Sequence, residues 1–177
     1  MDVRYPVGKF VLDKEVTPEK RREWISQLDA LPGQVRRALA ELPPGGLETP
    51  YRDGGWTPRQ VVHHLADSHS NAYIRIKLAL TEDTPALKTY EEQLWAEMPD
   101  GQSADVAPSL AMLDGLHARL TIVLESLAAD QFARTASHPQ WGEMTVDVLL
   151  QLYAWHSRHH VAHIGLARAA AAAIAAR

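Results

Sequence analysis

The sequence predicts an all-α fold: a four-helix bundle with one short extra helix in the connection between its second and third long helices. Three observations carry the prediction. Two stretches open on a Thr-Pro start signal and continue with helical patterning. A third stretch carries leucines at spacings of three and four residues. Strand signals are weak throughout.

In chain order, the first helix opens at Thr17, the N-cap, with Pro18 in the first turn. Pro32-Gly33 is expected to kink or split it, and Pro43-Pro44-Gly45-Gly46 to end it. The second helix repeats the start signal more fully: Thr57 caps, Pro58 follows, and Gln60 completes a capping box. Its apolar residues Val61, Leu65, Ala72, Ile76 and Leu80 recur at helical spacing. After Pro85 comes an irregular stretch with one short helix expected around Tyr90–Met98. The third long helix is expected from Pro108 to Leu127, with Leu110, Leu113, Leu116, Leu120 and Leu124 as its inner stripe. "FARTASHPQWGEM" has little to define it beyond a loop. A fourth helix starts after Thr145 and runs into "ARAAAAAIAAR", a tail that favours helix but buries little surface, so it packs between helices or frays.

Composition narrows the function. The 18 Lys plus Arg and 22 Asp plus Glu give a net charge of −4, with no basic excess to suit nucleic acid. The absence of cysteine excludes a disulfide scaffold, a Cys zinc finger and a catalytic Cys. "MDVRYPVGKFVLDKEV" lacks the apolar core of a signal peptide, and no apolar run could span a bilayer. A single soluble, cytoplasmic domain over residues 1–177, without internal repeats, is the expectation.

The chemistry concentrates in "HSRHHVAH", residues 156–163, which holds four of the nine histidines where a uniform spread would put about 0.4. Residues four apart share a helical face, so His156 with His160, and His159 with His163, can each converge on one ion. The stripe Leu149, Tyr153, Ile164, Ala167 passes through the first pair and prefers it slightly. A further ligand must come from a facing helix. The second helix offers His63, His64 and His69; His64 shares a face with Val61, Ser68, Asn71 and Arg75, whereas His63, beside Arg59, Asp67 and Ser70, looks solvated.

The remaining candidates surround His64. Arg75 either clamps a carboxylate of a bound molecule or pairs with an acid elsewhere in the bundle. Ser68 and Asn71 extend the same polar seam. Asp67 is a surface acid, or else accepts from a ligand imidazole. Trp56 and Trp155 read as packing residues first and pocket walls second. No Ser-His-Asp order or Gly-rich phosphate loop competes, and no Glu general base is identifiable.

"TPYRDGGWTPRQVVHHLADSH", "YIRIKLALTEDTPA" and "LYAWHSRHHVAHI" together resemble the YfiT branch of the DinB-like superfamily, over nearly the whole chain from "YPVG" to about Ala167. The resemblance implies a four-helix bundle of the DinB/YfiT-like type holding a divalent metal, Zn2+ or Ni2+, on His64, His156 and His160. His163 then stands where many relatives carry Gln. It also implies a homodimer and a small-molecule substrate. Three neutral imidazoles leave the ion its charge and an open position, a catalytic rather than a structural arrangement. Water activated there makes a metal-dependent hydrolase. A low-molecular-weight thiol bound there makes an S-transferase of the bacillithiol type, and a non-catalytic metal-binding stress protein is the third alternative.

Overall fold

Three of the four long helices begin where the sequence places a threonine cap. In the computed structural model, which describes residues 2–176, the Thr17 hydroxyl accepts from the backbone N–H of Lys20 and opens α1 (Pro18–Ala40). Thr57 opens α2 (Pro58–Thr81) with a full capping box. Its hydroxyl accepts from the Gln60 N–H while the Gln60 side chain accepts from the Thr57 N–H. Two short helices follow, α3 (Glu92–Ala96) and α4 (Pro99–Gln102). They stand where one was expected, because Pro99 forces Met98 into the extended region (ψ 158°) and interrupts the helix. The third long helix is α5 (Ala107–Glu125), with Leu113, Leu120 and Leu124 buried and Leu110 and Leu116 half-buried. Thr145 caps α6 (Val146–Ala175) through the Val148 N–H.

Two segments depart from the sequence reading, each for a physical reason. Pro32 does not split α1, which is continuous from Pro18 to Ala40. Leu28, Leu31, Pro32 and Val35 all face the core, so packing outweighs the one ladder bond that proline removes. The "loop" after α5 contains an antiparallel hairpin, β1 (Thr135–His138) and β2 (Gly142–Thr145), turned by Gly142 at φ +73°. Strands of four residues are too short to register as an alternating pattern, although Ala136 and Met144 face the core while Ser137 and Glu143 are exposed. The alanine tail stays helical to Ala175; Ala167 and Ala171 are buried, whereas Ile174 is exposed.

The helices occupy the corners of a square in which α1 and α2 each pack against both α5 and α6. Buried residues form two apolar clusters, one above the other. The first contains Ile25, Leu28, Ala72, Ile76, Leu120, Leu124, Leu149 and Leu150; the second contains Leu31, Val35, Val61, Leu65, Leu113 and Ile164. With rising residue number, α1 and α6 pass from the first cluster to the second, and α2 and α5 pass the other way. The bundle therefore runs up, down, down, up, and every long helix has one parallel and one antiparallel neighbour. A histidine layer from α2 and α6 lies between the two clusters.

Because α2 and α5 are parallel, the chain between them must climb the full height of the bundle. Residues 82–106 do so against α2. Lys88 O accepts from Arg75, Gln93 Oε1 from Trp56 Nε1, and Ala96 O from Gln60 Nε2, while Ala104 O faces His63 Nε2. This crossover forms one wall of the main cavity. Among the described residues no helix is long and apolar enough to cross a membrane.

Candidate metal centre

The capping box sets the start of α2, and seven residues on, His64 points inward between Val61 and Leu65. On α6, His156 and His160 sit one turn apart between Tyr153 and Ile164. The antiparallel packing of α2 on α6 brings the three together: one nitrogen of each lies within 4.8 Å of the others. Nε2 of His64 is 3.2 Å from Nε2 of His156. His64 and His160 are buried, and among the described residues no carboxylate converges with the three.

Burial, first, and the neighbouring imidazoles, second, hold all three pKa values down. His64 falls to about 3, and His156 and His160 lie well below the ordinary value. The rings are therefore neutral at pH 7 and carry lone pairs. Three neutral nitrogen donors converging in a buried space suit a borderline divalent cation better than they suit one another, since only a bridging proton or a cation relieves the facing lone pairs.

One side of the cluster opens into a cavity of about 830 Å³. Its walls come from six segments: the amino-terminal segment (Tyr5), the α1–α2 connection (Tyr51, Trp56), α2 (Ser68, Arg75), the crossover (Tyr90), the hairpin (Trp141) and α6. Trp56 lies over His64 at 4.6 Å between ring centres and is fixed by its bond to Gln93. Trp155 is packed by Phe10, donates to Gly8 O and stacks on His159 at 4.6 Å.

The other sequence candidates divide. Ser68 is buried, lines the cavity and stands beside the Tyr90 hydroxyl, whose pKa burial pushes up to about 12. Arg75 also lines the cavity. It donates to the Tyr153 hydroxyl and the Lys88 carbonyl, each at 2.9 Å, while its buried Nε has no partner. Among the described residues no carboxylate pairs with it, so the salt-bridge alternative finds no partner. Asn71 is turned onto its own helix, donating to Asp67 O, and does not line the cavity. Asp67 is half-buried and makes no bond to a ligand imidazole; burial, then Asp100, raises its pKa to about 6. The solvated reading of His63 is wrong: it is buried, with Nδ1 2.8 Å from Ser109 Oγ, because α5 packs over that face of α2. His159 and His163 are buried beside the triad rather than in it.

Sequence reasoning missed Tyr5, Tyr51, Tyr90 and the hairpin residues His138 and Trp141 as cavity walls. They lie on irregular segments, or for His138 at the end of a four-residue strand, where no sustained period reports which way a side chain faces. Tyr153, by contrast, was visible in the inward stripe of α6.

Comparisons with known proteins agree with this fold. The family model described as the DinB superfamily matches residues 27–164. A Bacillus cereus (strain B4264) relative is 49% identical over 163 residues, covering 92% of this chain and 94% of its own. The YfiT protein of Bacillus subtilis is 47% identical over 165 residues, 93% of each chain. Both are named "Putative metal-dependent hydrolase". The solved structure of Bacillus subtilis YfiT, described as "a probable metal-dependent hydrolase with an unusual four-helix bundle topology", superimposes with a TM-score of 0.90 at 46% identity, covering 96% of this chain and 98% of that one.

Proposed function

From the membership of this chain in the DinB superfamily, we propose that it is a metal-dependent hydrolase whose single divalent ion, zinc or nickel, is held by His64, His156 and His160. The observation that carries the reading is the convergence of three neutral imidazoles, two buried and one half-buried, at the floor of an open cavity. Bound there, such an ion supplies a Lewis acid and lowers the pKa of a water in the position that three protein ligands leave open. The chain supplies the rest. Trp56 covers His64 and limits solvent on that side. Ser68 and Tyr90 place two hydroxyls in the cavity wall, able to donate to a substrate carbonyl.

Arg75 gives the cavity its preference. An uncompensated guanidinium with a free buried Nε attracts an anion. Eleven residues separate it from His64, about 16 Å of helix, and its side chain leans back toward the helix amino terminus. The favoured substrate is a small ester or amide with an anionic group roughly 10 Å from the scissile bond.

One observation supports a thiol S-transferase as a second reading. Among the described residues no carboxylate base stands with the ligands, and a metal-bound thiol needs none to ionise. The deciding experiment is metal analysis after dialysis, with turnover of anionic esters and of thiol–electrophile pairs measured on the same samples. Ala at His64, His156 or His160 should remove metal and turnover while helicity survives. Full metal content in His156→Ala overturns the assignment.

A further inference from the structure

Two further histidines stand behind the ligands, and their geometry has a direction. His156 turns Nε2 toward His64, so as a ligand it carries its proton on Nδ1. That Nδ1 is 3.2 Å from Nε2 of His69 on α2. His160 has Nδ1 3.4 Å from Nδ1 of His163, which leaves its Nε2 for the ion. We infer that His69 and His163, which lie outside the ligand triad, are the positioning residues of this centre: each accepts the Nδ1–H of one α6 ligand and holds that ligand with Nε2 toward the metal. The inference rests on the metal reading and deepens it.

Both acceptors are held in place. His69 is fully buried, with the His117 ring at 4.9 Å and the Tyr153 ring at 5.4 Å. Accepting at Nε2 places the His69 proton on Nδ1, the side without a hydrogen-bond partner. His163 stacks on Tyr51 at 4.0 Å and 19°. Accepting at Nδ1 places the His163 proton on Nε2, which is buried and has no hydrogen-bond partner among the described residues. Each ligand thus has a defined tautomer and each acceptor the complementary one.

The usual acceptor behind a metal-bound imidazole is a carboxylate, a backbone carbonyl or water. A carboxylate would push electron density through the imidazole and add a negative charge. Neutral histidines orient the ligands with a weaker push and no added charge, so the ion keeps more of its charge for a group at the open position. This also gives the crowded "HSRHHVAH" segment a division of labour, with His156 and His160 binding and His163 orienting.

The test uses the full chain loaded with Zn2+ and labelled with 15N at histidine. Two-bond 1H–15N spectra report the protonated nitrogen of each ring. His156 and His160 should carry Nδ1–H with Nε2 shifted by zinc, His69 should carry Nδ1–H, and His163 should carry Nε2–H. In chelator competition, His69→Phe and His163→Phe should each weaken zinc binding about 10- to 100-fold. His69→Gln and His163→Asn, which return an acceptor near Nε2 and Nδ1 respectively, should recover most of that loss. A merely space-filling role predicts no such rescue. An Nε2–H tautomer at His69, or Phe variants that hold zinc as tightly as the wild type, overturns the inference. If His69→Phe does not fold, the wild-type tautomers and the His163 variants still decide. Zinc that fails to shift Nε2 of His156 and His160 removes the metal reading and the inference together; a shifted triad with the wrong His69 tautomer removes the inference alone.

Discussion

Acidifying the metal-stripped protein should unfold it well before its carboxylates are titrated. His64 has a folded pKa of about 3 and His117 of about 4, both lowered mainly by burial, against an unfolded value of about 6.5. A base with a lowered folded pKa contributes its stability above the unfolded pKa and loses it as pH falls from there. By pH 5 each of these two has lost about 2 kcal/mol relative to pH 8. His69, His156 and His160 are lowered in the same direction by the same main cause. From His64 and His117 alone the unfolded chain binds close to two more protons at pH 5, a slope of about 2.5 kcal/mol per pH unit, and the other three add in the same direction. Asp67 opposes this, since its raised pKa of about 6 favours the folded state as pH falls, but at half burial solvent limits that to about 1 kcal/mol. The roughly 4 kcal/mol lost through His64 and His117 is already a large part of the whole stability of a domain, about 5–15 kcal/mol. Urea unfolding followed by circular dichroism at 222 nm, in chelator-treated protein from pH 8 to pH 5, should show the midpoint collapsing between pH 6.5 and 5. A midpoint unchanged between pH 7 and pH 5 would refute the reasoning, because the five rings would then be hydrated rather than buried neutral.

Three other outcomes follow from particular contacts. Arg75→Ala should raise KM for an anionic ester about 10- to 100-fold, the loss of one or two charge-assisted bonds, while zinc content stays unchanged on metal analysis. Cobalt(II)-substituted protein should show an intense sulfur-to-metal charge-transfer band with a low-molecular-weight thiol if the open position accepts sulfur; ester hydrolysis without that band favours the hydrolase reading over the transferase. Leu120→Ala, at a fully buried position of the first cluster, should cost about 2–5 kcal/mol by urea titration, with zinc affinity in the folded protein little changed.

What was legible in the sequence was local. Thr17, Thr57 and Thr145 mark helix starts because a cap is decided by residues within one turn. His156 and His160 were legible as a pair because four residues complete about one turn, and the resemblance placed His64 opposite them. The corner order of the bundle was not legible, since helical periodicity fixes which face is buried but not which neighbour buries it. His63 shows the same gap: its polar companions suggested water, and α5 lies there instead. The roles of His69 and His163 depend on how α2 is rotated against α6 and where the amino-terminal segment lies, which neither helix encodes alone.

The climbing segment between α2 and α5 separates two kinds of evolutionary pressure. The ion's candidate ligands and most of the apolar clusters belong to the long helices, where a change disturbs stability and chemistry together. Thr89, Tyr90 and Gln93 belong to the strap, which shapes the chamber without contributing ligands. Its exchange for that of a relative would re-cut the chamber while leaving the engine intact. The up, down, down, up order makes such a strap unavoidable, and with it comes a region in which selectivity can drift at little expense to folding.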